Sequence, residues 1–421
     1  MLSVEEGRKL ATDFDERDAL GPLRDSFLFP RGPDGAPVVY LTGNSLGLQP
    51  RTVKDRVQEV LDDWAGRSVE GHVQGDSPWL PYHHFLTGPT ARLVGAQPDE
   101  VVVMNTLTVN LHLLMVSFYR PTAGRHRILY EGSAFPSDRY AFASQVRFHG
   151  FDPAEALVPL SPRQGEDLLR PEDLLEAIAR QGERLALVLI GNVNYLTGQA
   201  FDVAAITRAG HAVGATVGFD LAHGAGNLAF QLHEDAPDFA VWCSYKYLNG
   251  GPGALGGAFV HARHRDGRGL PRFEGWWGHD EATRFEMGPR FQPMAGAEGW
   301  QLSNPPILSM AALRASMELF DAVGMTALRR KSERLTGLMD QMVRGMPGVE
   351  VITPADPAQR GAQLSLRIRD ARGLVYRLAM AGVVCDYREP DIVRAAPAPF
   401  YTRFVDVVRF AEVLRSHVQG R

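Results

Sequence analysis

Lys246 follows the apolar run Phe239-Ala240-Val241-Trp242-Cys243 and precedes the turn Asn249-Gly250-Gly251-Pro252-Gly253. A lysine carried on a rigid element into a half-buried pocket can lose its proton and form an imine. That chemistry suits pyridoxal phosphate (PLP), whose ring then needs a carboxylate at its nitrogen, donors for its phosphate and an anchor for a substrate carboxylate. Asp220 ends the run Thr216-Val217-Gly218-Phe219 and leads into Leu221-Ala222-His223, so it is the candidate partner of the ring nitrogen, with His223 beside the ring. Asn105-Thr106-Leu107-Thr108 follows a strand pattern and opens a helix pattern, the arrangement of a phosphate site at a helix N-terminus. Phe135-Pro136-Ser137-Asp138 follows another strand, with an aromatic that could stack on the ring and an acid for its nitrogen or hydroxyl side. Arg394, among apolar neighbours, needs an anion and could clamp an α-carboxylate. Each motif also has a plainer reading: surface charge for Lys246, helix capping for Asp220 and residues 105–110, a satisfied core imidazole for His223, a turn into a helix for 135–138, and a structural salt bridge for Arg394.

These residues need a scaffold. Between about 100 and 262, short apolar runs alternate with helical patterns: 101–104, 127–130, 185–190, 216–220, 240–243 and 257–260 read as strands, 170–180 and 204–213 as helices. The run Leu185–Ile190 is apolar on both faces, as in a buried parallel strand. This predicts a mostly parallel sheet flanked by helices, with ligands beyond the carboxyl ends of its strands. Thr52 to Ala65 has amphipathic helical spacing, 264–305 is loop-rich, and 308–346 reads as helical. The tail carries strand patterns at 349–352, 363–368 and 383–386 and helices at 374–381 and 404–418, which suits a small α+β domain.

The 421-residue chain is 45% hydrophobic and 22% charged, with a net charge of −5, an ordinary globular composition. It shows no basic bias or stripe for nucleic acid. No apolar run is long enough to span a membrane, and Met1–Lys9 has no apolar signal core, so a cytoplasmic protein is expected. Cys243 and Cys385, both in apolar surroundings, read as buried free thiols of a reducing compartment, and their spacing cannot form a metal site; no metal is expected.

Taken together, Leu41-Thr42-Gly43-Asn44-Ser45-Leu46-Gly47-Leu48-Gln49-Pro50, Phe135-Pro136-Ser137-Asp138, Asp220-Leu221-Ala222-His223, Ser244-Tyr245-Lys246-Tyr247-Leu248-Asn249, Gly275-Trp276-Trp277-Gly278-His279 and Ser303-Asn304-Pro305-Pro306 resemble the kynureninases, PLP enzymes of fold type I related to the class V aminotransferases. The glycine–tryptophan and Ser-Asn-Pro-Pro segments are not general features of PLP enzymes, and the motifs span nearly the whole chain. Phe219, before the aspartate, departs from the family pattern without removing a chemical group.

The resemblance implies an α/β fold: a large domain with a mostly parallel sheet flanked by helices, and a small C-terminal α+β domain. Residues 1–50 would form an arm and helix joining the small domain, 51–305 the large PLP-binding domain, and 306–421 the small domain. Lys246 would carry the cofactor, and Asp220 would pair with its ring nitrogen. Asp138 and His223 would lie near the ring, with Phe135 stacked on it and Pro136 and Ser137 beside it. Leu107, Thr108 and Tyr245 would hold the phosphate, with Tyr245 a candidate proton donor. Trp276 and Asn304 would reach in from the partner subunit of a homodimer with shared active sites. Arg394, with Ser45, would bind the substrate carboxylate, and His72, Ser303 and Asn304 would line an aryl pocket able to accept a ring hydroxyl. The implied reaction is hydrolytic Cβ–Cγ cleavage of L-kynurenine to anthranilate and L-alanine, and of 3-hydroxykynurenine to 3-hydroxyanthranilate and L-alanine, in tryptophan catabolism with a link to NAD supply. The rival readings are a transaminase, a desulfurase, which needs a reactive cysteine on a mobile loop, and a PLP-binding protein without catalysis.

Overall fold

The computed structural model describes residues 2–267 and 269–419; Met1, Arg268, Gly420 and Arg421 lie outside the described residues. The larger core is a seven-stranded sheet. Its strands are β1 (Val101–Met104), β2 (Arg127–Glu131), β3 (Leu157–Leu160), β4 (Leu185–Gly191), β5 (Thr216–Asp220), β6 (Phe239–Cys243) and β7 (Gly256–Val260), in spatial order β1-β7-β6-β5-β4-β2-β3. Only β7 runs antiparallel to its neighbours. The carboxyl ends of β1, β2, β4, β5 and β6 therefore share one edge, and Leu107, Glu131, Asn192, Asp220 and Lys246 stand at or just beyond it.

Local chemistry explains the elements. The β4 run is buried along its apolar length because helices cover both faces. Strand β3 was not legible in the sequence, since its Pro159 breaks a strand pattern, and it is tolerated because β3 lies at the sheet edge. The helical stretch after 307 is two helices, Ile307–Val323 and Met325–Val343, broken at Gly324, whose φ of +78° favours glycine. The first packs Met310, Leu313, Met317 and Phe320 into the larger core; the second runs on to bury Leu335, Leu338, Met339 and Met342 in a separate, smaller core.

That smaller core backs a four-stranded antiparallel sheet of β8 (Glu350–Val351), β9 (Leu364–Arg367), β10 (Asp386–Arg388) and β11 (Ile392–Ala395), ordered β8-β9-β11-β10. The stretch 383–386, which reads as a single strand, divides its pairing: Val383–Val384 runs parallel to Val39–Tyr40 of the N-terminal arm, and only Asp386 onward joins the sheet. The N-terminal helix Val4–Glu16 buries Ala11 in this same core, with Leu10 and Phe14 against it.

Beyond Tyr40 the arm reaches the turn that carries Lys246. Gly47 N–H donates to the Tyr245 carbonyl at 2.9 Å. A Cβ at Gly47 would lie 2.5 Å from the Lys246 carbonyl oxygen and 2.2 Å from Asn249 Oδ1, so only glycine fits. Gly66, in the helix Val53–Arg67, meets nothing within 4 Å. Gly47→Ala is therefore expected to destabilise the protein by about 1–3 kcal/mol. Gly66→Ala should stabilise it by roughly 0.5–1 kcal/mol through helix propensity. Denaturant unfolding of the two variants checks both signs; equal effects would sink the account of the docked arm.

Candidate active site

One cavity at the shared strand edge is lined by Leu107, Thr108, Glu131, Ala134, Phe135, Ser137, Asp138, Gly191, Val193, Asn194, Tyr195, Asp220, Ala222, His223, Tyr245 and Lys246. It gathers Lys246, Tyr245, Asp220, His223, Leu107, Thr108, Phe135, Ser137 and Asp138 from four sequence-distant segments.

Two helix N-termini meet at one end. The helix Leu107–Phe118 begins without a side-chain cap, leaving its first N–H groups free, and is entered through Asn105 at a φ of +47°. The helix Pro136–Phe148 begins with Pro136 in its first turn; Pro136 sets this entry and does not itself line the cavity. Thr108 Oγ1 and Ser137 Oγ lie 2.9 Å apart, so two hydroxyls and two positive helix ends converge. This set suits a phosphate.

Asp138, in the first turn of that same Pro136–Phe148 helix, and Asp220, at the end of β5, are both buried and act on each other. Burial pushes both carboxyls up. The Asp220 charge pushes Asp138 further, whereas Lys246 opposes the rise at Asp220. The pair thus holds one proton, on Asp138, while Asp220 also accepts the Ala222 N–H at 2.6 Å. Burial, and then the positive charge of Lys246, pushes the His223 imidazole well below its ordinary range, so it is neutral; its Nδ1 has no hydrogen-bond partner. A buried acid poised toward the cavity and an orphaned ring nitrogen fit a cationic heteroaromatic ring. Phe135 is 52% exposed at the cavity mouth and meets Tyr195 edge-on at 5.4 Å. Tyr245 has its ring 5.8 Å from Lys246 Nζ, and burial raises its phenol above the ordinary range.

Arg394 is buried on β11 and does not line the cavity. Its guanidinium makes a two-point contact with Asp386, including Nε to Oδ1 at 2.7 Å, and its Nη1 donates to the Tyr195 carbonyl at 2.6 Å. Ser45 Oγ donates to the same Asp386 at 2.7 Å. The anion that this arginine required is therefore an internal one, one residue contact from the cavity wall.

The remaining expected residues lie elsewhere in this chain. His72, Trp276 and Asn304 line a separate surface groove with Val69, Val73, Leu80 and Phe285, and Ser303 is exposed beside Asn304. Trp276 is 40% exposed, and His72 Nδ1 lies 3.0 Å from the Val69 carbonyl.

Sequence reasoning passed over Glu131 and Asn194. Glu131 ends β2 as Asp220 ends β5, a signal of the same kind, yet it reads as the start of the turn at 132–136. It is 4% exposed, accepts hydrogen bonds from Asn194 Nδ2 and from Ser133 Oγ at 3.1 Å, and burial pushes its carboxyl up to about 7. Asn194 Oδ1 in turn accepts the N–H groups of Leu196 and Thr197, both at 2.8 Å, which fixes the turn that presents Tyr195.

Among the described residues no helix is long and apolar enough to cross a membrane. The chain resembles solved structures of fold-type I PLP enzymes. A cysteine desulfurase from Thermococcus onnurineus superposes with a TM-score of 0.75 at 17% identity, over 91% of this chain and 95% of that one. A cystine C–S lyase variant with glycine covalently linked to its PLP cofactor superposes with a TM-score of 0.75 at 16% identity, over 93% and 98%. These likenesses show the fold. Residues 328–414 match the family described as the kynureninase C-terminal domain. Over 418 residues the chain is 63% identical to the kynureninase of Myxococcus xanthus, covering 99% of this chain and 98% of that protein. It is 58% identical to that of Koribacter versatilis, over 96% of each. The chain belongs to the kynureninase family.

Proposed function

We propose that the protein hydrolyses the Cβ–Cγ bond of L-kynurenine to give anthranilate and L-alanine, and cleaves 3-hydroxykynurenine in the same way. The observation that carries this is the meeting of Lys246, the Asp138–Asp220 pair and two helix N-termini in one cavity of a kynureninase-family chain. PLP bound there would supply an electron sink for the substrate's amino carbon. Lys246 would hold it covalently and, once free, move a proton at the substrate's α-carbon. Asp220, paired with Asp138, would keep the ring nitrogen protonated. The helix ends at Leu107 and Ser137, the Thr108 hydroxyl and Tyr245 would hold the phosphate. Tyr245, whose phenol burial raises above its ordinary range, would deliver the proton that Cβ needs once the Cβ–Cγ bond has broken. Phe135 and His223 would shape the walls around the ring, and Pro136 would set the helix entry beside them.

Arg394, with Ser45, would take the substrate carboxylate, exchanging part of its contact with Asp386 for it. Trp276, Asn304, Ser303 and His72 would act in the cavity of a second copy, because their exposed groove is not part of their own cavity. A homodimer with shared sites, a cytoplasmic location and a place in tryptophan catabolism, feeding NAD supply, belong to the same proposal. A transaminase shares the cofactor requirements. A desulfurase fits less well, since Cys243 and Cys385 are both buried and burial raises both thiols.

Glu131 extends the proposal. A carboxyl raised by burial holds its proton in the folded state where the unfolded chain has released it. It therefore costs nothing below about pH 4.5, and a growing penalty as pH rises toward its folded value of about 7. That penalty reaches about 3 kcal/mol at most.

Two outcomes are expected. The purified protein should be yellow, lose that band on Lys246→Ala, and release anthranilate fluorescence from kynurenine; assaying both kynurenines sets the ring preference, and a yellow protein that gives no anthranilate would favour a transaminase. Glu131→Gln, in cofactor-free protein, should gain stability over the parent chain as pH is raised from 5 to 8 in guanidinium unfolding. A difference that stays constant over this range would contradict a Glu131 carboxyl that stays protonated in the fold.

A further inference from the structure

His83 precedes the helix His84–Val94 and is only 1% exposed, yet neither of its ring nitrogens has a hydrogen-bond partner. An unsatisfied buried imidazole is costly unless something else takes its lone pair. What faces it is a set of metal-binding groups. His83 Nε2 lies 3.4 Å from Glu298 Oε1 and 4.0 Å from Glu281 Oε1; His84 Nε2 lies 3.7 Å from Glu281 Oε1 and 3.9 Å from Glu298 Oε1. The ligand atoms of His83, His84 and Glu281 all lie within 4.8 Å of one another. Neither glutamate has a lysine or arginine within 4.0 Å among the described residues; the charge of the buried Arg284 acts on both, but its Nη2 donates to the carbonyls of Trp277 (2.7 Å) and His279 (3.1 Å).

Zinc binds imidazole nitrogen and carboxylate oxygen at about 2.0–2.2 Å, and a tetrahedral set then has edges of about 3.4 Å. The four measured separations begin at that value and exceed it by up to 0.6 Å, a gap that rotation of the partly exposed His84 and Glu281 side chains can close. None of the four residues lines the Lys246 cavity. We propose that His83, His84 and Glu281, whose ligand atoms lie mutually close, form a structural site for Zn²⁺ separate from the catalytic cavity, with Glu298, 3.4 Å from His83 Nε2, moving in as the further carboxylate. Glu281 and Glu298 bracket the exposed segment that contains Arg290, and His83 and His84 open a helix of the larger core. The ion thus staples both ends of that segment to the core, just downstream of Trp276. Two imidazoles and two carboxylates favour zinc over calcium or magnesium, which prefer all-oxygen sets.

The test uses the full-length holoenzyme, stripped of metal by a chelator and titrated with Co²⁺ as a spectroscopic probe and with Zn²⁺. One equivalent of Co²⁺ per chain should bind with the intense visible bands of four-coordinate cobalt, and Zn²⁺ should displace it. Zn²⁺ should also slow tryptic cleavage at Arg290. His84→Ala and Glu281→Gln, both at exposed side chains and so compatible with folding, should each weaken binding at least tenfold and abolish the protection. Absence of saturable binding, or binding undiminished in both variants, would overturn the assignment.

Discussion

Two carboxyl groups buried side by side cannot both ionise unless a cation faces them, and much of this molecule is arranged around that constraint. Asp138 and Asp220 share a proton, and the positive charge of Lys246 is what keeps Asp220 from taking it. Burial, reinforced by the same lysine, holds His223 neutral. The protonation of Asp138, Asp220 and His223 is therefore set by burial together with the charges they share the cavity with. Moving any of them out by a turn would leave an unpaired charge in a buried site.

The sheet makes this possible. Its parallel strands deliver Leu107, Glu131, Asp220 and Lys246 to a single edge, and the one antiparallel strand, β7, sits between β1 and β6 without disturbing that edge. The helix ends at Leu107 and Pro136 bring positive potential to the cavity, and the second of them also carries Asp138 of the acid pair in its first turn. The N-terminal arm then closes the turn behind Lys246 through Gly47, and continues into the smaller core that carries Arg394. The lysine turn and the arginine strand are thus linked by one continuous stretch of chain.

Much of this was legible in the sequence because a charged residue at the end of an apolar run is costly and so stands out. Lys246 and Asp220 were found that way, as was the parallel order of most strands. Glu131 obeys the same rule, but Gly132 and Pro136 close behind it made the segment read as a turn. Asn194 has no periodic or compositional signal; its importance comes only from the hydrogen bonds that meet there. The edge strand with Pro159 and the break at Gly324 were hidden because local propensity argues one way and tertiary packing decides the other. His72, Trp276 and Asn304 could be named only through family resemblance, and their groove is apart from their own chain's cavity. The four residues around His83 were invisible for another reason: the histidines and glutamates are far apart in sequence, and only the folded loop brings them together.

The central claim of the proposed function is that Asp220, paired with Asp138, would hold a proton on the ring nitrogen of bound PLP. The most direct measurement compares Asp220→Ala with Asp220→Glu, following the visible cofactor band and anthranilate release in the same samples. The account predicts that Asp220→Ala keeps a lysine-bound chromophore but loses at least about a hundredfold in turnover, and that Asp220→Glu recovers part of it. An Asp220→Ala protein that retains the chromophore and turns over kynurenine within about tenfold of the parent rate would contradict it.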